Sequence, residues 1–320
     1  MDGLLVVDKP SGPTSHDVVA RLRRALREKR MGHTGTLDPM ATGVLLLVVG
    51  KATRLAKFIS ASDKSYDAVV RFGFATDTAD AQGVPIGAVS GRPMPSRDAV
   101  EAALAAFRGT FLQRPPAFSA KKIDGRRSYQ LARERANARL KAPRDEFDAP
   151  ALPALPAAVS VTTHSLDIVA LGDETVTLRV HCSAGFYVRS LAHDLGERLG
   201  LGAHLVALRR TGSGDFGLDV AVDLETAERD PHRAVAALVP LRGMLPSLPS
   251  VVLTIEGADR VRHGRDIGLG DVTRSSSTSA PGSGQRVEPL VRLLDPHGEL
   301  VALARPTRSG GALHPSVVLM

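Results

Sequence analysis

Tryptophan is absent from this 320-residue chain, and three tyrosines and nine phenylalanines are its only other large aromatics. Any aromatic beside a reactive loop is therefore a scarce side chain. A single cysteine, Cys182, excludes an intrachain disulfide and a cysteine-based zinc site. It falls in an alternating stretch and reads as a small buried apolar residue. No apolar run reaches the roughly 20 residues of a membrane span. Acidic Asp2 and Asp8 stand where a signal peptide would be basic and then apolar, so a cytoplasmic protein is expected. What is present is a hydrophobic content of 43%, enough for one large domain and a small one. The net charge is +7. That balance suits a polyanionic partner, and an arginine-rich composition explains it equally well.

The chain is organised around Gly32-His33-Thr34-Gly35-Thr36-Leu37-Asp38-Pro39-Met40-Ala41-Thr42-Gly43 and the apolar run from Val44 to Val49 that follows. Three glycines and a proline rule out a helix interior. The run after Gly43 is short, rich in Val and Leu and closed by Gly50, which predicts a buried strand. Asp38 is thus expected in a tight loop on a rigid support, where reactive side chains are commonly held. Pro39 pushes Asp38 out of the helical region. From spacing alone, a structural turn in which Asp38 bonds its own backbone is the favoured reading.

Around this stretch, residues 3–7 predict a short strand. Ser15 is expected to cap a helix reaching about Arg30, with Val18, Val19, Leu22 and Leu26 inward. Arg21, Arg23, Arg24, Arg27, Lys29 and Arg30 load the rest of that helix with charge, for solvation or for phosphate contact. Gly50-Lys51-Ala52-Thr53 is not a phosphate loop, because Leu45 stands where its first glycine is required. Residues 66–72 and 175–182 alternate as strands, and 96–107 predicts an amphipathic helix stopped by Gly109. Asp77 and Asp80 lack the closing Glu of an EF-hand and read as turns stabilised by their own side chains. His193 and His204 lack clustered carboxylates, so both read as structural or surface residues and no metal site is expected. The densest cations, including Lys121, Lys122 and Arg126, lie within 113–142. Residues 145–159 read as an irregular Ala/Pro-rich connection. Beyond 245 the composition shifts. Residues 273–284 are Ser/Gly-rich and expected to be disordered, and 290–294 with 300–304 read as a hairpin.

Five motifs in order resemble the bacterial tRNA pseudouridine synthase B family. The stretch from Gly32 to Gly43 fits that family's G-H-T-G-x-L-D-P-x-A-T-G at every fixed position. Asp8-Lys9-Pro10 with Ser15, Lys64-Ser65-Tyr66 with Gly73 to Gly83, Gln113 to Tyr129, and Cys182 to Gly196 supply the others. The resemblance extends to about residue 245. It implies an α+β fold: a catalytic domain over 1–245, with a mixed, mostly antiparallel sheet flanked by helices. A small β-rich domain of PUA type over 246–320 would bind RNA.

The resemblance further implies isomerisation of uridine 55 in the T loop of tRNA, by base flipping and without cofactor or metal. Asp38 would be the nucleophile, Tyr66 the stacking aromatic and Arg189 the ion-pair partner of Asp38. Tyr187 and Leu208 would line the pocket, and His33 would stack on the distorted loop. Lys9 would pack against the Asp38 loop, or stay a solvated lysine. Lys121, Lys122 and Arg126 would clamp the RNA stem. Phe118 takes a place often held by Tyr. The partner would be the T arm of tRNA, with no membrane and no protein partner, the protein acting as a monomer. A tRNA-folding role beside catalysis, and a catalytic subunit of a guide-RNA particle, are the other readings.

Overall fold

A computed structural model describes residues 1–118, 122–123, 126–127, 156–276, 290–307 and 311–320. The chain forms two compact units, Met1–Ala61 with Gly212–Met320, and Ser62–Thr211.

In the first unit, β1 (Gly3–Lys9) runs antiparallel to β3 (Thr42–Val49), and β2 (Met31–Thr34) pairs antiparallel with β3. On its other side β1 meets Val222–Asp223 in parallel. β1 and β3 are apolar almost without interruption and buried along nearly their whole length, as expected of strands covered on both faces. Between β1 and β2 lies α1 (Ser15–Ala25). Its N-cap is Thr14, not Ser15: Thr14 accepts from the Asp17 amide while Asp17 accepts from the Thr14 amide. The helix also stops five residues short of Arg30. Arg27 adopts a left-handed backbone, φ 51°, which a continuing helix forbids.

The C-terminal part of this unit is a five-stranded sheet. Ser250–Leu253 lies between Val272–Ser276, antiparallel, and Val291–Leu294, parallel. Leu300–Pro306 and Leu313–Val318 follow, each antiparallel to its neighbour, so the expected hairpin is present. The strand Val272–Ser276 takes in the first residues of the Ser/Gly-rich stretch expected to be disordered, because its amides pair with Ser250–Leu253. Residues 277–284 of that stretch lie outside the described residues. Leu300, Leu303 and Leu319 of this sheet region join Leu4, Val6, Val44, Leu46 and Val48 of β1 and β3 in one buried cluster. Leu55 and the half-buried Phe58 pack into the same cluster.

In the second unit, Gly109–Gln113, Val159–Leu171, Thr175–Cys182 and β4 (Lys64–Phe72) lie side by side, antiparallel throughout, with Ala203–Ser213 next to β4. β4 buries Lys64, Tyr66, Ala68, Val70 and Phe72 on one face by strict alternation. Helices Arg97–Leu104 and Val188–Leu199 pack together beside this sheet. Gly196 lets the second of these close on Ala203, whose amide would lie 2.2 Å from an added Cβ. The architecture is α+β, a mostly antiparallel mixed sheet flanked by helices together with a C-terminal β-rich part.

Candidate active site

The Asp38 loop is fixed from below by two side chains. Lys9, at the end of β1, is fully buried, and its ammonium donates to the carbonyls of Pro10 at 2.9 Å, Pro39 at 3.2 Å and Ala41 at 2.7 Å. The solvated reading of Lys9 is thereby excluded. Ser15 Oγ donates to the Leu37 carbonyl at 3.0 Å and accepts from the Leu37 amide at 2.9 Å. As the first residue of α1, Ser15 therefore clamps the residue before Asp38 instead of capping its own helix. The Gly12 amide donates to the Pro39 carbonyl, and the Ala41 amide to the Asp38 carbonyl. Such a mesh holds the loop as a unit, while Asp38 itself stays partly exposed. His33, on β2, meets His16 edge to face, ring centroids 5.0 Å apart.

Tyr66, Tyr187, Arg189 and Leu208 all belong to the second unit. Tyr66 faces inward from β4, 8% exposed, opposite Val180. Leu208 is equally buried on Ala203–Ser213. The strand preceding the Tyr187 motif ends at Cys182, and Tyr187 is the N-cap of Val188–Leu199 with Arg189 in its first turn. Gln113, buried, fixes the helix start: its side-chain amide donates to the Tyr187 carbonyl at 3.0 Å, and its oxygen accepts from the Tyr187 amide at 2.8 Å. Ser190 Oγ reaches the Arg114 carbonyl.

Arg189 is 6% exposed. Its guanidinium donates to the carbonyls of Thr78 at 3.0 Å and Phe118 at 2.8 Å and lies 3.6 Å from Asp80 Oδ2. Asp80 accepts at Oδ1 from Thr78 Oγ1 and the Gln82 amide, and Asp77 accepts from the Val84 amide, so the expected turns are present. The buried pairing of Asp80 with Arg189 is what sequence reasoning missed. Asp80, within Gly73 to Gly83, is its signal in the sequence, where its spacing reads only as a turn. The contact at Phe118 runs through its backbone, so the missing hydroxyl does not affect it.

Beneath Tyr66 and Leu208 the same faces bury two cations, Lys64 and Arg210. Burial lowers the Lys64 amine from its ordinary 10.5 to about 8, with Arg210 acting in the same direction. Cross-strand from Lys64, Cys182 donates to the Lys64 carbonyl, and burial pushes its thiol up to about 12. His204 is buried with Nδ1 3.0 Å from the Phe74 carbonyl. Among the described residues no group of three or more His, Cys, Asp or Glu is arranged to hold a metal ion. Lys122 begins the first strand and Arg126 the second of a short antiparallel pair, Lys122–Ile123 with Arg126–Arg127; Lys121 lies outside the described residues.

Residues 23–149 match the family model described as TruB family pseudouridylate synthase (N terminal domain), and 189–245 match the tRNA pseudouridylate synthase B C-terminal domain. A tRNA pseudouridine synthase B of Solibacter usitatus is 42% identical over the whole of both chains. The chain belongs to the tRNA pseudouridine synthase B family. Another synthase B, of Geobacter sulfurreducens, is 42% identical over 88% of each chain. Among solved structures, an H/ACA RNP bound to a substrate RNA containing 2′-deoxyuridine contains a similar chain at 25% identity, with TM-score 0.71. The match covers 99% of this chain and 85% of that one. A chain of the archaeal Nop10–Cbf5 complex matches with TM-score 0.69 over 99% and 86%. As a synthase B, the protein is an isomerase of tRNA pseudouridine synthesis. No helix among the described residues is long and apolar enough to cross a membrane.

Proposed function

We propose that this synthase B converts uridine 55 in the T arm of tRNA to pseudouridine, with Asp38 as the nucleophile. The observation that carries this reading is the loop itself. Lys9 and Ser15 hold Pro39, Ala41 and Leu37 by their backbones and so fix the stretch of chain that presents the Asp38 carboxylate. The reaction breaks the N1–C1′ bond, turns the uracil, joins C5 to C1′ and releases the C5 proton to water. Atoms and charge balance without any redox step. The carboxylate attacks a sugar or base carbon. Tyr66 stacks on the extruded uracil, whose flipping costs roughly a few kcal/mol. Leu208 and Tyr187 border it, Arg189 keeps Asp38 ionised, and His33 stacks on the opened loop. Lys121, Lys122 and Arg126 clamp the stem, and the sheet in 246–320 supplies a second RNA contact of PUA type. The protein works as a monomer on bare T-arm RNA, without a guide.

Asp38→Asn is expected to abolish tritium release from T-arm RNA carrying 5-tritiated uridine while RNA binding persists. Retained release overturns the role of Asp38, and pseudouridine at a position other than 55 in treated tRNA overturns the site. The cations of 113–142 also support a tRNA-folding role beside catalysis. In that case the Asp38→Asn protein accelerates tRNA refolding as well as the unaltered one does.

A further inference from the structure

Six cations outside the catalytic groups flank β2 in the first unit. β2 lies between α1 and the short helix Ala56–Ser60, and packs against both. From the α1 side come Arg24, Arg27, Lys29 and Arg30, all exposed. From the other side come Lys51, partly exposed, and Lys57, exposed. The Gly50 amide donates to the Arg30 carbonyl at 2.7 Å, which draws the two banks together at the start of β2. None of the six has an ion-pair partner among the described residues. The nearby carboxylates bond to backbone groups and not to these side chains. Glu28 takes the Arg30 amide and the terminal amine of Met1, and Asp2 takes the Lys51 amide. Arg27 keeps its charge at a left-handed position where glycine would be cheaper. Six cations against the two carboxylates of Glu28 and Asp2 leave an excess of positive charge, which repels itself unless a polyanion lies across it.

β2 runs from this face straight into the Asp38 loop, a path of roughly 13 Å for four extended residues. We propose that the face made by Arg24, Arg27, Lys29, Arg30, Lys51 and Lys57 is a binding surface for the phosphate backbone of the RNA stem that carries the target loop. This rests on the T-arm reading above. The surface reads charge and spacing only, since such contacts position a nucleic acid without reading its bases. It adds a grip on the stem from the first unit, independent of the segment 113–142.

The test is the salt dependence of binding to an isolated T-arm hairpin. Each phosphate neutralised on a duplex contributes roughly 0.9 to the slope of log K against log salt. The triple variant Lys29→Ala, Arg30→Ala, Lys57→Ala is expected to lower that slope by about 2 to 3 and to weaken binding at least ~10-fold near 0.15 M salt. Its thermal melt is expected to match the unaltered protein. The swap Lys29→Arg, Arg30→Lys, Lys57→Arg is expected to restore both slope and affinity. An unchanged slope in the alanine variant, no recovery in the swap, or an effect seen only with whole tRNA overturns the proposal. Tritium release is scored separately, so a failure of the enzymatic reading is distinguishable from a failure of this surface.

Discussion

Lys9 carries its charge into the core to hold three carbonyls of a loop that has no regular structure of its own. A cation so placed is stabilising only because its hydrogen bonds are made, and hydrogen bonds to a charged group contribute about 1.5–3 kcal/mol. Lys9→Met is expected to lower stability by about 3 kcal/mol in urea unfolding. Turnover should fall further than the stability loss accounts for, because the loop bearing Asp38 loses its anchor. A variant with normal turnover would show that the loop holds its shape without the amine. Asp80 presents a parallel case. Asp80→Asn keeps an oxygen for Thr78 and the Gln82 amide but removes the charge facing Arg189. Loss of one member of a buried pair is strongly unfavourable. Tritium release by Asp80→Asn is expected to drop about 10-fold or more while hairpin affinity changes little. That role was invisible in the sequence because Asp80 satisfies a local turn completely with one oxygen. The other oxygen meets an arginine on a distant helix, which no spacing rule reports.

At the scale of elements, β4 and its neighbour Thr175–Cys182 place Lys64 opposite Cys182, and the two shifts act in opposite directions on stability. The Lys64 amine is lowered to about 8 in the fold, so between pH 8 and 10.5 the unfolded chain binds more protons there and stability rises with pH. The Cys182 thiol is raised from 9.0 to about 12, so above pH 9 the unfolded chain loses a proton that the fold keeps, and stability falls. From these two groups the urea midpoint is expected to rise from pH 8 to 9 and then to level off. In Cys182→Ala, measured against its own midpoint at pH 8, the rise continues toward pH 10.5. A flat profile in both proteins would mean that Lys64 is solvated. β4, Thr175–Cys182 and the apolar run of β3 were legible from period and composition. The cap of α1 was not, because Thr14 and Ser15 are equally good cap residues by type. Only the distant Leu37 backbone decides between them.

At the scale of the molecule, the division at 245 suggested by fading motifs differs from the two compact units. The first unit takes residues from both ends of the chain. Motifs fade where chemistry ends, whereas a core continues wherever apolar faces meet, and Leu300, Leu303 and Leu319 meet β1 and β3. Leu303→Ala is expected to cost about 2–5 kcal/mol in a single cooperative transition. Loss of a separate C-terminal transition, with the rest unaffected, would show that the sheet is energetically independent.

The cluster around Leu4 and Leu319 also sets an order of events during synthesis. At ~5–20 residues per second, β1 leaves the ribosome roughly a quarter of a minute to a minute before its last partner is made. Throughout that interval two long, water-averse strands are without their final cover. The yield of folded protein is therefore expected to depend on translation speed through the last part of the message, checked by comparing soluble yield from fast and slow codon choices there.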